Sequence, residues 1–172
     1  MVPGYSHFRQ QKGERVYMAI FHANDIIEMA LELEKSGEVF YSTVAGKVTT
    51  PEVRALFEDL ADQERYHYVA FEKLSGTVWD AGTSPADDWD QYLMYLQATI
   101  QSAFFEGADK ALAVAEQVSD EKEALQMALD FEKETMLFFY DLRDKVSGAD
   151  KDVVEGIIAE EKNHVRRLAG ML

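Results

Sequence analysis

Apolar residues in this chain recur at steps of three and four, and the strict alternation of a half-buried strand is scarce. Ten glycines and three prolines leave long uninterrupted stretches, as in a helix-rich chain. The pattern predicts a helix over 24–48, opened by Asp25 and Glu28 as a capping box. Thr50-Pro51 reads as the N-cap and first turn of a second helix that ends near Ser75-Gly76. A third runs over 119–146, from Ser119-Asp120, and a fourth from Asp150, after Ser147-Gly148, almost to Leu172. Between the second and third, residues 76–90 hold Trp79, Gly82, Pro85, Trp89 and several aspartates and read as a loop. Residues 92–105 read as an apolar, aromatic helix that covers the bundle or a subunit interface, and 109–118 as a further helical piece. The division expected is a leading arm over 1–23, helical from Glu14 onwards, and one domain over 24–172.

The chain also repeats itself. Ala30-Leu31-Glu32-Leu33-Glu34-Lys35 aligns with Ala128-Leu129-Asp130-Phe131-Glu132-Lys133, and each is followed by an aromatic cluster, Phe40-Tyr41 and Phe138-Phe139-Tyr140. Each copy then leads into a helix carrying Glu-x-x-His, Glu64 to His67 and Glu161 to His164. Two helical hairpins of one design joined by a long helical crossover predict an all-α, four-helix bundle.

The repeat places acids where leucines are expected. In the second helix the apolar stripe runs Val53, Leu56, Phe57, Leu60, Glu64, His67, Phe71, Leu74, and in the fourth Val154, Ile157, Ile158, Glu161, His164, Val165, Leu168. The first reads Ile27, Ala30, Leu31, Glu34, Tyr41, and the third Leu125, Ala128, Leu129, Glu132, Met136, Phe139. An unpaired carboxylate in an apolar interior costs several kcal/mol or is neutralised by a shifted pKa. Four together would also repel, and cations among them resolve both problems. The i, i+3 step of Glu-x-x-His puts both ligands on one helical face. Mixed carboxylate and imidazole donors suit iron or manganese better than structural zinc or calcium. With four histidines in the chain, a single Glu-x-x-His would carry no weight. Two, each in phase with an apolar stripe and each preceded by an in-stripe glutamate, are a much more specific signal.

Composition narrows the remaining classes. The net charge of −15 argues against nucleic acid or an anionic membrane surface as partner. The absence of cysteine removes disulfides, thiolate metal sites and thiol nucleophiles. No apolar run approaches the ~18 residues that span a bilayer, and the first residues lack the apolar core of a signal peptide, so a soluble, cytoplasmic protein is expected. No phosphate loop, dinucleotide fingerprint or Ser/His/Asp constellation is evident. His7 and His22 fall outside the repeats and read as ordinary packing or surface residues.

Glu34, Glu64-x-x-His67, Glu132 and Glu161-x-x-His164 resemble the di-iron signature of the ferritin-like superfamily, and the chain is most similar to its rubrerythrin branch over about 24–172. The resemblance implies a pair of iron ions, with manganese or a mixed pair as the alternative. It makes Glu34 and Glu132 ligands, Glu64 and Glu161 bridges, and His67 and His164 one cap for each metal. It places Tyr41 and Tyr140, seven and eight residues after Glu34 and Glu132, beside the site. It implies reduction of hydrogen peroxide or dioxygen in a homodimer or small homo-oligomer. Two departures stand out. The extra carboxylate that rubrerythrins carry three residues after the third-helix glutamate is here Thr135, with Glu38 a substitute candidate, and the paired histidines look like those of bacterioferritin. The cysteine-ligated rubredoxin iron site is also missing, which implies an external redox protein as donor. Iron storage by a ferroxidase cage is the competing expectation. It is disfavoured by the long aromatic crossover and by the eight residues after His164, too few for a terminal cage-forming helix. A bundle whose metal is structural or absent is the third.

Overall fold

The computed structural model describes residues 23–74, 91, 107–144, 146 and 148–172. Among them are five helices and no strand: α1 Ala23–Ala45, α2 Pro51–Leu74, α3 Ala108–Gln117, α4 Glu121–Arg143 and α5 Gly148–Ala169. The arm with His7 and His22, the loop over 76–90 with its tryptophans, and the aromatic helix over 92–105 lie outside the described residues. Within that frame the fold is the expected one. Helices α1 and α2 form one hairpin and α4 and α5 the other, the hairpins meet through α1 with α4 and α2 with α5, and α3 lies along α1. No helix among the described residues is long and apolar enough to cross a membrane.

The helix boundaries shift where local hydrogen bonds decide them. Asn24 and Asp25 already lie inside α1, so Asp25 is not its cap. At the other end α1 stops at Ala45 rather than Val48. Gly46 N donates to Thr43 O at 3.2 Å and Lys47 N to Val44 O at 2.9 Å, a tightened last turn that tucks Val48 into the core. Helix α4 ends at Arg143, short of the predicted Val146, and α5 opens at Gly148, ahead of Asp150. Gly148 takes φ +59°, a conformation that a side chain disfavours.

The join between the hairpins is held by carboxylates at helix N-termini. Asp120 accepts from Glu123 N at 2.8 Å and caps α4, while Glu123 in turn accepts from Ser119 N and Oγ, both at 2.7 Å. Thr50 precedes α2 as predicted, but its hydroxyl donates outward to Glu121 Oε2 at 2.6 Å. Thr49 N and Thr50 N both donate to Glu121 Oε1, at 2.6 and 2.7 Å. The first residue of α4 thus satisfies free N–H groups at the start of α2, where a negative charge is also favoured by the helix dipole.

Helix α3 is seated by small residues and one lysine. Ala111 and Ala115 are fully buried, which lets α3 approach α1 closely. Lys47 Nζ donates to the carbonyls of Ala115, Glu116 and Val118 at 3.0, 2.7 and 3.0 Å, a cation at the C-terminal end of α3. Gly107, before α3, has φ +98°, and a Cβ there would lie 2.6 Å from Glu32 Oε1. Inside the bundle Phe40, Tyr41, Phe57, Phe71, Phe131 and Phe139 are nearly or wholly excluded from solvent and form the aromatic packing around the middle of the helices.

The hydrogen bonds of Thr50 and Thr49 hold the Glu121 carboxyl down at about 2. Its ordinary unfolded value is ~4.3, so the stabilisation is complete above that value and is lost as pH falls through about 2. Glu121→Gln should therefore lower the urea midpoint near neutral pH. Its deficit relative to the parent chain should shrink steadily between pH ~4.5 and ~2, as a pH series of urea melts would show.

Candidate metal centre

Each helix of the two hairpins delivers its acid by the same device, a glutamate in phase with an apolar stripe near mid-helix. Glu34, Glu64, His67, Glu132, Glu161 and His164 are all buried, none more than 2% exposed. They converge into two overlapping groups, Glu34–Glu64–His67–Glu161 and Glu64–Glu132–Glu161–His164, whose candidate ligand atoms lie within 4.8 Å of one another. Glu64 and Glu161 belong to both groups, while Glu34 with His67 and Glu132 with His164 flank them on either side. Each group draws three residues from one hairpin and one shared carboxylate from the other.

The imidazoles face inward through Nδ1. His67 Nδ1 lies 2.9 Å from Glu161 Oε1 and 3.4 Å from Glu34 Oε2. His164 Nδ1 lies 2.9 Å from Glu161 Oε2, 3.3 Å from Glu132 Oε1 and 3.7 Å from Glu64 Oε1. The two rings stack at 5.8 Å with 25° between their planes. Their outer nitrogens are held across the bundle: His67 Nε2 lies 2.8 Å from Glu160 Oε2, and His164 Nε2 lies 2.8 Å from Gln63 Oε1. Gln63 is oriented by donating to Asp59 Oδ2 at 2.6 Å, which also accepts from Arg167 at 2.6 Å.

Electrostatics show how strongly the cluster calls for positive charge. Burial alone would lower the His67 imidazole, but Glu34 and Glu161 outweigh it and raise the group to about 12. His164 rises to about 10, with Glu132 and Glu161 overcoming burial in the same way. Burial and the neighbouring acids raise Glu132 to about 8 and Glu64 well above the ordinary carboxylate range. Burial pushes Glu161 up as well, but its hydrogen bonds with Glu132, His164 and His67 win and hold it below that range.

The donor set fits a pair of divalent transition ions on evidence independent of these shifts. Both oxygens of Glu34, Glu64 Oε1 and Glu132 Oε2 are buried without a hydrogen-bond partner. Buried polar atoms are very largely paired in folded proteins, and orphans gathered in one place point to a ligand. Room for the cluster is built in. At Gly37 a Cβ would lie 2.9 Å from both Glu64 Oε2 and Phe131 Cε1. Four carboxylates balance two divalent cations, and oxygen with imidazole donors is a set that iron and manganese accept.

The remaining sequence candidates separate. Tyr41 is fully buried and donates its hydroxyl to Glu132 Oε1 at 2.6 Å, and burial beside Glu132 raises the phenol well above its ordinary value. Tyr140 is placed elsewhere: its half-buried ring faces Arg143 at 5.2 Å and Lys162 at 5.3 Å. The residue that matches Tyr41 in the repeat, seven after Glu132, is Phe139, which packs on Phe71 at 4.9 Å. Glu38 is not brought to the cluster, since Lys35 takes its Oε2 at 2.5 Å and Arg65 its Oε1 at 2.7 Å. Against the upward push of burial, these two cations lower its pKa. Thr135 is buried with an unpaired hydroxyl. Gln63, Glu160 and Gly37 were not read from the sequence. Gln63 and Glu160 each stand immediately before the glutamate of Glu-x-x-His, a matched position in the repeat that could have marked them.

Two hairpins that each supply an in-stripe glutamate and a Glu-x-x-His to a shared core define a ferritin-like bundle of the di-metal carboxylate class. The family model described as Rubrerythrin matches residues 25–172, and the chain belongs to that family. No curated protein and no solved structure shows a significant match to it.

The packing at Gly37 sets up a paired test. Replacing an exposed mid-helix glycine by alanine ordinarily stabilises by ~1 kcal/mol, and Gly156→Ala, with open space around the new Cβ, should do so. Gly37→Ala should show no such gain and should bind added Mn²⁺ more weakly, as urea melts and metal titration of both variants would report.

Proposed function

We propose that the chain is a di-iron oxidoreductase that reduces hydrogen peroxide or dioxygen with electrons from a separate redox protein. The observation that carries this reading is the sharing of Glu64 and Glu161 between two ligand groups. A structural site for one ion would need neither the second group nor the overlap. Glu64 and Glu161 would bridge the pair, with Glu34 and His67 holding one ion and Glu132 and His164 the other. Two adjacent ferrous ions would supply the two electrons needed to cleave an O–O bond.

The chain's own residues have definable tasks around that chemistry. Tyr41 holds its proton on the phenolic oxygen and points it at Glu132 Oε1, which fixes the orientation of that carboxylate. Glu160 and Gln63 fix the imidazoles so that Nδ1 faces inward. Phe57 and Phe131 flank the Tyr41 ring at 6.0 and 6.1 Å and help keep bulk water from the acids. The chain contains no cysteine, so it holds no thiolate iron site of its own to pass electrons inward.

Protein purified without added metal should carry iron or manganese on elemental analysis. Removing it should lower the melting temperature, and ferrous iron or Mn²⁺ should restore it. Glu64→Ala and His164→Ala should lose most of that dependence. When ferrous protein prepared without oxygen is mixed in a stopped-flow instrument with peroxide or with oxygenated buffer, it should be oxidised faster than free ferrous ion. Oxidation no faster than free iron would refute the enzymatic reading, and a mineral-filled cage on size-exclusion chromatography would favour iron storage instead.

A further inference from the structure

The repeat makes the two halves of the centre comparable residue by residue, and at two matched places they differ. Behind His67 stands the carboxylate of Glu160, and behind His164 stands the amide oxygen of Gln63, each 2.8 Å from the outer ring nitrogen. The amide is fixed as an acceptor towards His164 because its nitrogen is engaged by Asp59. Tyr41 donates to Glu132 Oε1 at 2.6 Å, whereas the matched position in the second half is Phe139 and neither oxygen of Glu34 accepts a hydrogen bond.

Both differences act in one direction. A carboxylate accepting the outer N–H makes an imidazole a stronger donor than a neutral amide does. A carboxylate that accepts a short hydrogen bond from a phenol has part of its charge drawn off, while one with no donor keeps its full basicity. The Glu34–His67 side therefore holds the more electron-rich ligands and the Glu132–His164 side the poorer ones. We infer that the two metal positions are inequivalent, that the one at Glu34 and His67 binds a divalent ion more tightly and fills first, and that Gln63 and Glu160 are the positioning residues that set this order. The inference rests on the di-metal reading of the site.

The test uses the full chain after metal depletion, with Mn²⁺ as the probe. Calorimetric titration should show two binding events at least tenfold apart. Crystals grown with one equivalent of Mn²⁺ should give an anomalous peak beside Glu34 and His67. Glu160→Gln should weaken the tighter event by about 10- to 100-fold and leave the weaker one unchanged. Gln63→Glu should tighten the weaker event, and the double variant should move the one-equivalent peak towards Glu132 and His164. Because a glutamate at 63 would face Asp59, Glu160→Gln is the independent arm, with far-UV circular dichroism checking that each variant folds. Two equal events in the parent chain or a first peak at Glu132 and His164 would overturn the order of filling while leaving the centre intact, and a Glu160→Gln variant with unaltered affinities would overturn the role given to Glu160. No Mn²⁺ bound by the parent chain at all would refute the metal centre itself, and the order with it.

Discussion

Four carboxylates gathered in an apolar interior set the terms on which the rest of this bundle is built. Removing one from water costs several kcal/mol even after relaxation, and a typical domain has only ~5–15 kcal/mol of net stability to lose. Four such costs without compensation would unfold the chain. The acids are nevertheless fully enclosed, on helices whose remaining inward positions are mostly aliphatic and aromatic. Part of their compensation comes from the histidines on the same helix faces, and the unpaired oxygens form a set that could hold divalent ions. The aromatic packing around Tyr41 and the space left at Gly37 follow from that need, because the acids must be fixed in place yet not filled over.

Much of this was legible in the sequence because it is periodic. Helix positions and the burial of Glu34, Glu64, His67, Glu132, Glu161 and His164 follow from the 3.6-residue stripe, and the duplication ties the two halves to one another without any contact being known. Helix ends were less legible, since they depend on single hydrogen bonds. Nothing in the stripe says that Thr50 would turn its hydroxyl towards Glu121, or that Gly46 would tighten the last turn of α1. Tyr140 shows a different limit. It sits one position past the match to Tyr41, and on a helix one position is about 100° of rotation, enough to carry a ring from the core to the flank where Arg143 and Lys162 meet it.

The residues that escaped sequence reading share a physical reason. Gln63 and Glu160 lie beside the stripe, where polar side chains are common and carry little information. Their roles appear only when the hairpins are docked and each reaches the imidazole of the opposite half. Glu38 is the reverse case: its position one turn after Glu34 suggested chemistry, but two cations nearer the surface claim both its oxygens.

The crossed arrangement of the centre also bears on how the molecule comes apart. Within the bundle, the broadest helix contacts lie inside each hairpin, and the hairpins touch one another less extensively through α1 with α4 and α2 with α5. The acids and imidazoles straddle that thinner seam, so a pair of metal ions bound there would act as a rivet driven through it. Loss of the rivet would loosen the seam before it frayed the hairpins, and amide protons along the facing sides of α2 and α5 would exchange ahead of those buried between α1 and α2.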